Sequence, residues 1–234
     1  MEQLSAYKQR TEVRVNEFVR SVYNWMGMGL AITGLVAWYV SSNDAIFNAV
    51  IGNRMIFWVL IIAEFGLVIA ISGAMNRLSG SAATGLFLLY SALNGATLSI
   101  IFRIFRMESI ATTFFVCALT FLACSVYGWT TKKDLTSIGG FMFMGLIGII
   151  IASIVNIFVH SSALYYAISY VGVVVFVGLT AYDTQKIKDM AATQPAGLDG
   201  DVVRKGAILG ALRLYLDFIN LFLMLLRIFG GSRD

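Results

Sequence analysis

Apolar runs of about twenty residues recur along the chain and alternate with short polar stretches. Each run has the length that an α-helix needs to cross the apolar core of a bilayer. None shows the two-residue alternation of a membrane β-barrel strand, so helices are the predicted spanning structure. The pattern therefore predicts an all-α, polytopic membrane protein with seven transmembrane helices, at residues 21–41, 55–75, 82–102, 109–129, 138–159, 163–182 and 206–229.

Polar breakers separate the predicted helices at Ser41–Asp44, Asn76–Ser81 and Thr130–Asp134. The stretch from Lys186 to Lys205, which contains Pro195, is predicted to be a single long loop. Residues 1–20 are charged and mixed, which argues against a cleaved signal peptide and predicts an N-terminal cytoplasmic segment. Residues 21–230 are predicted to form one seven-helix transmembrane domain.

Small residues recur inside the predicted spans. We expect them to allow close packing between helices, because a small side chain lets two backbones approach. The residues concerned are Gly27, Gly29, Ser91, Gly95, Gly145 and Gly148.

The composition agrees with a membrane protein, since 59% of the 234 residues are hydrophobic and only 13% are charged. Soluble domains are nearer half apolar and a quarter charged. The net charge of +4 is carried between the apolar runs, which favours membrane topology over nucleic-acid binding. Eleven Lys and Arg residues fall on one predicted side and five on the other, with Arg213 set aside as intramembrane, which predicts a cytoplasmic N-terminus. The eleven are Lys8, Arg10, Arg14, Arg20, Arg77, Lys132, Lys133, Lys186, Lys188, Arg204 and Lys205; the five are Arg54, Arg103, Arg106, Arg227 and Arg233.

Cysteine and histidine residues offer no basis for a zinc-type metal site or a cofactor. Cys117 and Cys124 are seven residues apart in one predicted helix, too far apart for a disulfide. His160 is predicted to lie at the end of a helix, and no His/Cys cluster surrounds it. The sequence predicts no enzyme and no cofactor, and any bound metal would be a hard cation on oxygen ligands.

The last predicted helix carries a polar stripe formed by Arg213, Asp217 and Asn220, which are spaced by four and three residues. The surrounding residues are Leu, Phe and Ile, which is typical of a helix enclosed by others. An aspartate at membrane depth is costly, so Asp217 is expected to have a partner, a proton or a water-filled cavity.

A second aspartate, Asp183, closes the predicted sixth helix. Thr180 and Gln185 are near enough along the helix to donate hydrogen bonds to it, and the alternative is a solvated acid at a helix end. If Asp183 and Asp217 meet out of bulk water, both cannot ionise cheaply and they share a proton. Simple register puts Asp217 deeper than Asp183, so their contact is left open.

Glu64 is a lone acid near the middle of the second predicted helix, without a basic residue one turn away. We expect it to line the interior of the bundle or an ion pathway. Asn94 is expected to hydrogen-bond between helices.

The segments Ala181–Ile187 and Leu214–Gly230 resemble the C-terminal signature of the Bax inhibitor family, and Thr131–Thr136 is similar to a loop of that family. The resemblance covers essentially the whole membrane region and points to the bacterial inner-membrane branch. It implies a central last helix wrapped by the other six and a pH-sensitive calcium leak. In that comparison Asp183 and Asp217 are the paired aspartates of the pH sensor and could hold a calcium ion transiently.

Other positions of the resemblance concern the ion pathway. Glu64 matches an acidic position in the second helix of the family, and Arg77 lies near the basic end of that helix. Arg213 departs from the family pattern, because a neutral residue is expected one turn before Asp217. An internal pair between Arg213 and Asp217 would hold Asp217 ionised and weaken the sharing of a proton.

Three other functions were weighed. An intramembrane aspartyl protease is disfavoured because the run Leu214–Asp217 lacks the Gly-x-Gly-Asp pattern and no proline follows Pro195. A retinal protein is excluded because the last helix has no lysine for a Schiff base within the membrane. The serious alternative is a non-conducting regulator that binds a membrane protease or a stress-response partner. The predicted partners are thus the lipid bilayer, calcium or protons, and a membrane protein, but not nucleic acid.

Overall fold

The computed structural model describes residues 2–75, 77–195 and 197–231, with side chains from Thr11 onward. Most of these residues are helical, and no strand occurs among them, so the predicted all-α class is confirmed. The side chains of Lys8 and Arg10, together with Asn76 and Arg233, lie outside the described residues. The elements are α1 (Glu2–Ser42), α2 (Asp44–Phe47), a π-helical turn (Asn48–Gly52), α3 (Arg54–Gly73), α4 (Gly80–Leu98), α5 (Ile101–Ile104), α6 (Met107–Thr130), α7 (Thr136–Val159), α8 (Ser162–Thr193) and α9 (Gly200–Phe229).

Six stretches of the described chain are long and apolar enough to cross a membrane: α3, α4 with α5, α6, α7, α8 and α9. The predicted first span, 21–41, lies within α1, which is not among these six, so a total of seven spans stays a prediction. The share of buried residues in the most apolar window is 67% in α9 but only 6% in α7. The last helix is therefore the most enclosed of the six spans, as the family resemblance implies.

Polar residues define several helix ends where the sequence predicted breaks. The Asn43 side chain accepts a hydrogen bond from the Ile46 backbone N–H, and the Asn53 side chain accepts from Met55 and Ile56. Both asparagines satisfy N–H groups that have no partner within the first turn of a helix. His160 ends α7 in the left-handed conformation, with φ of 53°, in agreement with its predicted position at a helix end.

The predicted long loop from Lys186 to Lys205 is wrong. Helix α8 continues to Thr193 and α9 begins at Gly200, so only residues 194–199 connect them. Ile187 and Ala191, four residues apart, are both buried, whereas Asp189 between them is exposed. This spacing is that of an amphipathic helix, with Asp189 on its outer face and Lys186 and Lys188 half-buried.

The described chain divides into two compact units, Met1–Ile104 with Met190–Tyr215, and Phe105–Asp189 with Leu216–Asp234. In the first unit, α1 packs closely along α4. A Cβ added at Gly95 would lie 2.6 Å from the backbone oxygen of Thr33, and one at Gly29 would lie 2.7 Å from the Phe87 ring. Close packing at these two glycines is confirmed, whereas Gly27 has no neighbouring atom within 4 Å.

The start of α9 is fixed within the first unit by polar contacts. The Gly80 backbone N–H donates to Asp201 Oδ1 at 2.6 Å, so Asp201 satisfies the N-terminus of α4. Arg204 Nε donates to Thr84 Oγ1 at 3.0 Å, and its guanidinium lies over the Trp25 ring. These contacts join α9 to α4 and α1.

The second unit is assembled by similarly close approaches. A Cβ at Gly128 of α6 would lie 2.2 Å from the Ala181 backbone oxygen of α8, and one at Gly139 of α7 would lie 2.4 Å from the Tyr182 ring. Gly145 also packs closely, against Val175, whereas Gly148 faces open space. The Phe218 ring of α9 makes edge contacts with aromatic rings of α6.

The exposed apolar side chains of the spans are those expected to face lipid. Helices α3 and α7 carry many of them, including Phe65 at 68%, Phe141 at 66% and Phe158 at 79% exposed. In water such surfaces would form a large apolar patch, but in a bilayer they contact apolar lipid tails. We therefore treat the chain as a membrane protein.

We expect Gly128→Ala to lower stability strongly, because the added methyl group meets a backbone oxygen that cannot rotate away. Overpacking of this kind costs about 1–3 kcal/mol. The matched control is Gly148→Ala on α7, where no atom lies within 4 Å and the change is expected to be neutral or slightly stabilising. Thermal unfolding of both variants in detergent measures the difference. Equal melting temperatures would contradict the tight α6 to α8 contact.

Candidate functional site

A buried polar cluster surrounds Glu64, ten residues into α3. The Glu64 side chain is 8% exposed. Its Oε2 atom accepts a hydrogen bond from Asn94 Nδ2 at 3.2 Å, and its Oε1 atom accepts from Thr97 Oγ1 at 2.9 Å. Glu64 thus lies in the interior of the first unit, and Asn94 makes the interhelical hydrogen bond that the sequence led us to expect.

The cluster extends to α9 and α1 through Tyr215, which is fully buried. Its hydroxyl group donates to Asn94 Oδ1 at 3.1 Å and lies 2.6 Å from Thr33 Oγ1. The Tyr215 ring makes edge contacts with Phe87 and Tyr90 at centroid distances of 5.8 and 5.6 Å. Four helices, α1, α3, α4 and α9, therefore contribute side chains to one polar cluster, which we call the Glu64 network: Thr33, Glu64, Asn94, Thr97 and Tyr215.

The hydrogen bonds of this network offset the free-energy cost of placing a carboxyl group in a membrane span. For an ionised group at the helix centre that cost is about 3 kcal/mol. Lipid offers no hydrogen bonds, so every polar group of the network must be satisfied by the protein. The sequence pattern points to Glu64 and Asn94 but not to Thr33, Thr97 or Tyr215. Tyr215 could have been suspected, because a tyrosine amid leucines usually needs a partner for its hydroxyl group.

In the second unit, Asp217 of α9 is 5% exposed, and its Oδ2 atom is shielded from solvent. The adjacent residue, Phe218, accepts a 3.7 Å contact from the Cys117 thiol at its backbone oxygen. Asn220 is partly buried and donates to the Leu216 backbone oxygen at 2.8 Å, a bond within its own helix. Arg213 is exposed, so the polar stripe of α9 combines a buried aspartate with an arginine on the outer surface.

Asp183 lies within α8, which continues for ten residues beyond it, and its side chain is half-buried. It is therefore not a solvated acid at a helix end. Its neighbours hold the backbone tightly: Tyr182 packs against Gly139, and Thr184 Oγ1 donates to Ser125 Oγ at 3.5 Å. Helices α6 and α7 thus fix the position of α8 around Asp183.

The segment after Asp183 binds the loop between α6 and α7. Gln185 Oε1 accepts from the Leu135 N–H, and Gln185 Nε2 donates to the Lys133 backbone oxygen, both at 2.9 Å. Lys188 Nζ donates to the Trp129 backbone oxygen at 2.7 Å. The Gln185 amide thus makes two hydrogen bonds with the loop, and Thr180 donates to Phe176 of its own helix.

Within the same loop, Asp134 precedes the first turn of α7. The hydrogen bonds that the side chain and the backbone N–H of Thr136 donate to it hold the pKa of the Asp134 carboxyl below its usual range. Asp134 therefore stays ionised at the N-terminus of α7, where a negative charge is favourable.

Two other predicted features can be located. Arg77 is exposed in the connection between α3 and α4. Among the described residues, no group of three or more His, Cys, Asp and Glu side chains could hold a metal ion.

Comparison with known proteins gives a consistent result. Residues 15–234 match the family described as "Inhibitor of apoptosis-promoting Bax1". The chain is 53% identical over 216 residues to "Inner membrane protein YbhL" of Escherichia coli, with 92% of each chain covered. It is 48% identical over 231 residues to an uncharacterized protein of Borreliella burgdorferi, covering 99% of this chain and 98% of the relative. An uncharacterized membrane protein of Streptococcus pyogenes is 37% identical over 225 residues, with 95% and 96% covered.

Removing the Tyr215 hydroxyl group should destabilise the first unit. In Tyr215→Phe, Asn94 Oδ1 loses its donor while remaining buried, and an unsatisfied group of this kind costs about 1–3 kcal/mol. The matched control is Tyr170→Phe, since Tyr170 is 58% exposed on α8. Thermal unfolding in the same detergent compares the two variants. Equal stability of Tyr215→Phe and the wild type would show that the hydroxyl group is not needed in the network.

Proposed function

Because the chain belongs to the Bax inhibitor family, we propose that it is a pH-sensitive cation leak of the bacterial inner membrane, gated by Asp183 and Asp217. Calcium is the proposed ion. The observation that carries the proposal is the burial of Asp217 on a membrane-spanning helix, in the same compact unit as the half-buried Asp183. The inner-membrane location rests on the name of the Escherichia coli relative and on the six apolar helices.

The directions of α8 and α9 within the second unit support a pairing of these aspartates. Gly172 of α8 packs against Met224 of α9, and Tyr165 lies under the Arg227 guanidinium. Tyr165 precedes Gly172 on α8, whereas Arg227 follows Met224 on α9. The two segments therefore run in opposite directions. This arrangement supports a pairing, because Asp183 and Asp217 then lie on the same side of the Gly172 to Met224 contact.

The register can be followed from the Gly172 to Met224 contact. Asp183 is eleven residues further along α8, about 16 Å, and Asp217 is seven residues back along α9, about 10 Å. The two carboxyl groups thus differ by about 6 Å along the helix axes, or about one helical turn. Aspartate side chains and a modest helix tilt can cover this offset.

In the proposed gate, the carboxyl groups of Asp183 and Asp217 form a pH-dependent latch between α8 and α9. With one shared proton, a carboxyl group donates to a carboxylate and holds α8 against α9. Without that proton, the two like charges repel or recruit a cation, and calcium is bound by carboxylate oxygens. We therefore expect the leak to be closed at low pH and open when the proton is lost. The exposed position of Arg213 leaves this latch without an internal cation on the preceding turn.

Calcium flux from loaded liposomes that contain the purified protein, measured from pH 5 to pH 8, tests the proposal. The wild-type flux should rise several-fold across this range. In Asp217→Asn and in Asp183→Asn the pH dependence should be lost, because an amide cannot share a proton. The matched control is Glu12→Gln, which changes an exposed acid on α1 and should leave the pH profile unchanged.

Two results would contradict the gating model. A pH profile that survives both aspartate substitutions would exclude the aspartate pair as the gate. An absence of flux at every pH would instead favour the alternative, a non-conducting regulator that binds a membrane protease or a stress-response partner. In that case the buried acids would be structural switches rather than parts of an ion pathway.

A further inference from the structure

The hydrogen bonds around the Glu64 carboxyl group require more protons than these groups have if Glu64 is ionised. Thr97 Oγ1 lies 2.9 Å from Glu64 Oε1 and 3.0 Å from the backbone oxygen of Asn94. Both of these oxygens are acceptors, and a threonine hydroxyl group has only one proton to donate. An ionised Glu64 therefore leaves one of the two short contacts of Thr97 without a proton.

A neutral Glu64 removes this conflict. The carboxylic acid then donates from Oε1 to Thr97 Oγ1, and Thr97 donates its own proton to the Asn94 backbone oxygen. The other oxygen, Oε2, still accepts from Asn94 Nδ2 at 3.2 Å. Every short contact around the carboxyl group is then a hydrogen bond with one donor and one acceptor.

We propose that Glu64 is a proton-binding site of the first unit, in which the neutral carboxylic acid donates a hydrogen bond to Thr97. The proton is the ligand, and the Glu64 network is the site that holds it. This site uses other side chains than the aspartate pair, since its members belong to the first unit and both aspartates belong to the second. The proposal does not depend on ion conduction.

With the proton on Glu64, the contacts from Tyr215 to Thr97 form one directed chain of hydrogen bonds. Tyr215 donates to Asn94 Oδ1 across 3.1 Å, and Asn94 donates to Glu64. Glu64 donates to Thr97, and Thr97 donates to a backbone oxygen. Every contact from Tyr215 to that backbone oxygen thus has one donor and one acceptor, so this chain has a single direction. Thr33 Oγ1 lies at its start, 2.6 Å from the Tyr215 hydroxyl group, 2.8 Å from the Ser91 backbone oxygen and 3.0 Å from the Gly29 backbone oxygen.

Among the described residues, the side chains that hydrogen-bond Glu64 carry no positive charge. From α4 and α9 the titratable groups that act on it are Tyr90 and Tyr215, which are 4% and 0% exposed and are neutral phenols. Helix α1 contributes to the network the hydroxyl group of Thr33, which does not titrate. A carboxylate in this setting has no opposite charge among these groups, whereas a carboxylic acid needs only the hydrogen bonds that are present.

Infrared spectroscopy of the protein in lipid tests the site directly, with glutamate labelled with ¹³C at the side-chain carboxyl carbon. A protonated carboxylic acid has a carbonyl stretching band that a carboxylate lacks, and the label separates Glu from Asp. We expect such a glutamate band at pH 7, and we expect Glu64→Gln to abolish it. The matched control, Glu12→Gln, changes an exposed acid and should leave the band intact.

Two substitutions at Thr97 test the donor direction without removing the acid. Thr97→Val takes away the acceptor, so the carbonyl band should move to higher frequency, whereas Thr97→Ser should leave it in place. This pair keeps the test valid if Glu64→Gln does not fold. Asp217→Asn should not alter the band, which separates this site from the proposed gate.

Three outcomes would overturn the proposal. One is the absence of a protonated glutamate band at pH 7 in the wild type. Another is a band that appears only when sodium is removed, since Glu64 would then be an ionised cation ligand. The third is a band that is unchanged in Thr97→Val, since the acid would then not donate to Thr97.

Discussion

Hydrogen bonding without water is the constraint on which the first unit depends. A polar group inside a membrane span can be satisfied only by other groups of the protein, because lipid supplies neither donors nor acceptors. Glu64, Asn94 and Tyr215 come from α3, α4 and α9, and each is satisfied by at least one of the others. The apolar surfaces of these helices could pack in several rotations, since lipid and leucine are similar environments. The polar contacts select one rotation for each helix.

Close backbone approach makes these contacts possible. A Cβ at Gly95 would lie 2.6 Å from the Thr33 backbone oxygen, so only glycine lets α1 approach α4 this closely. That approach brings Thr33 Oγ1 within 2.6 Å of the Tyr215 hydroxyl group. The second unit has similarly close approaches near Asp183. There Gly128 and Gly139 pack against Ala181 and Tyr182, the two residues that precede Asp183 on α8. Glycine positions thus determine where the polar side chains can meet.

The sequence predicts most of the helices, because an apolar run of membrane length has few other structures available to it. The predicted spans 109–129 and 138–159 agree with α6 and α7 to within two residues at each end. The extension of α8 to Thr193 was missed, since its charged outer face resembles a loop in composition although its buried residues have helical spacing. Composition alone does not separate these two cases, but the spacing of Ile187 and Ala191 does.

The partners of the candidate site are much harder to predict than its members. Glu64 is conspicuous because an acid in an apolar run must be explained, whereas Thr97 and Tyr215 resemble ordinary residues of a membrane helix. Tyr215 and Asn94 are 121 residues apart in sequence, and no pattern of spacing relates them. Pairing of distant residues depends on how the helices rotate and pack, and a single sequence does not contain that information.

The contacts of Gln185 limit how Asp183 can move. Gln185 follows Asp183 by two residues on α8, and its amide holds the loop between α6 and α7 with two hydrogen bonds of 2.9 Å. Lys188 adds a third bond to the end of α6. A rotation of α8 that changes the surroundings of Asp183 must therefore either break these bonds or carry the loop with it. Because three buried or half-buried bonds are costly to lose together, the loop and this part of α8 should move as one body. A change at the proposed gate would then be transmitted to a loop outside the membrane, where a soluble or membrane partner could detect it.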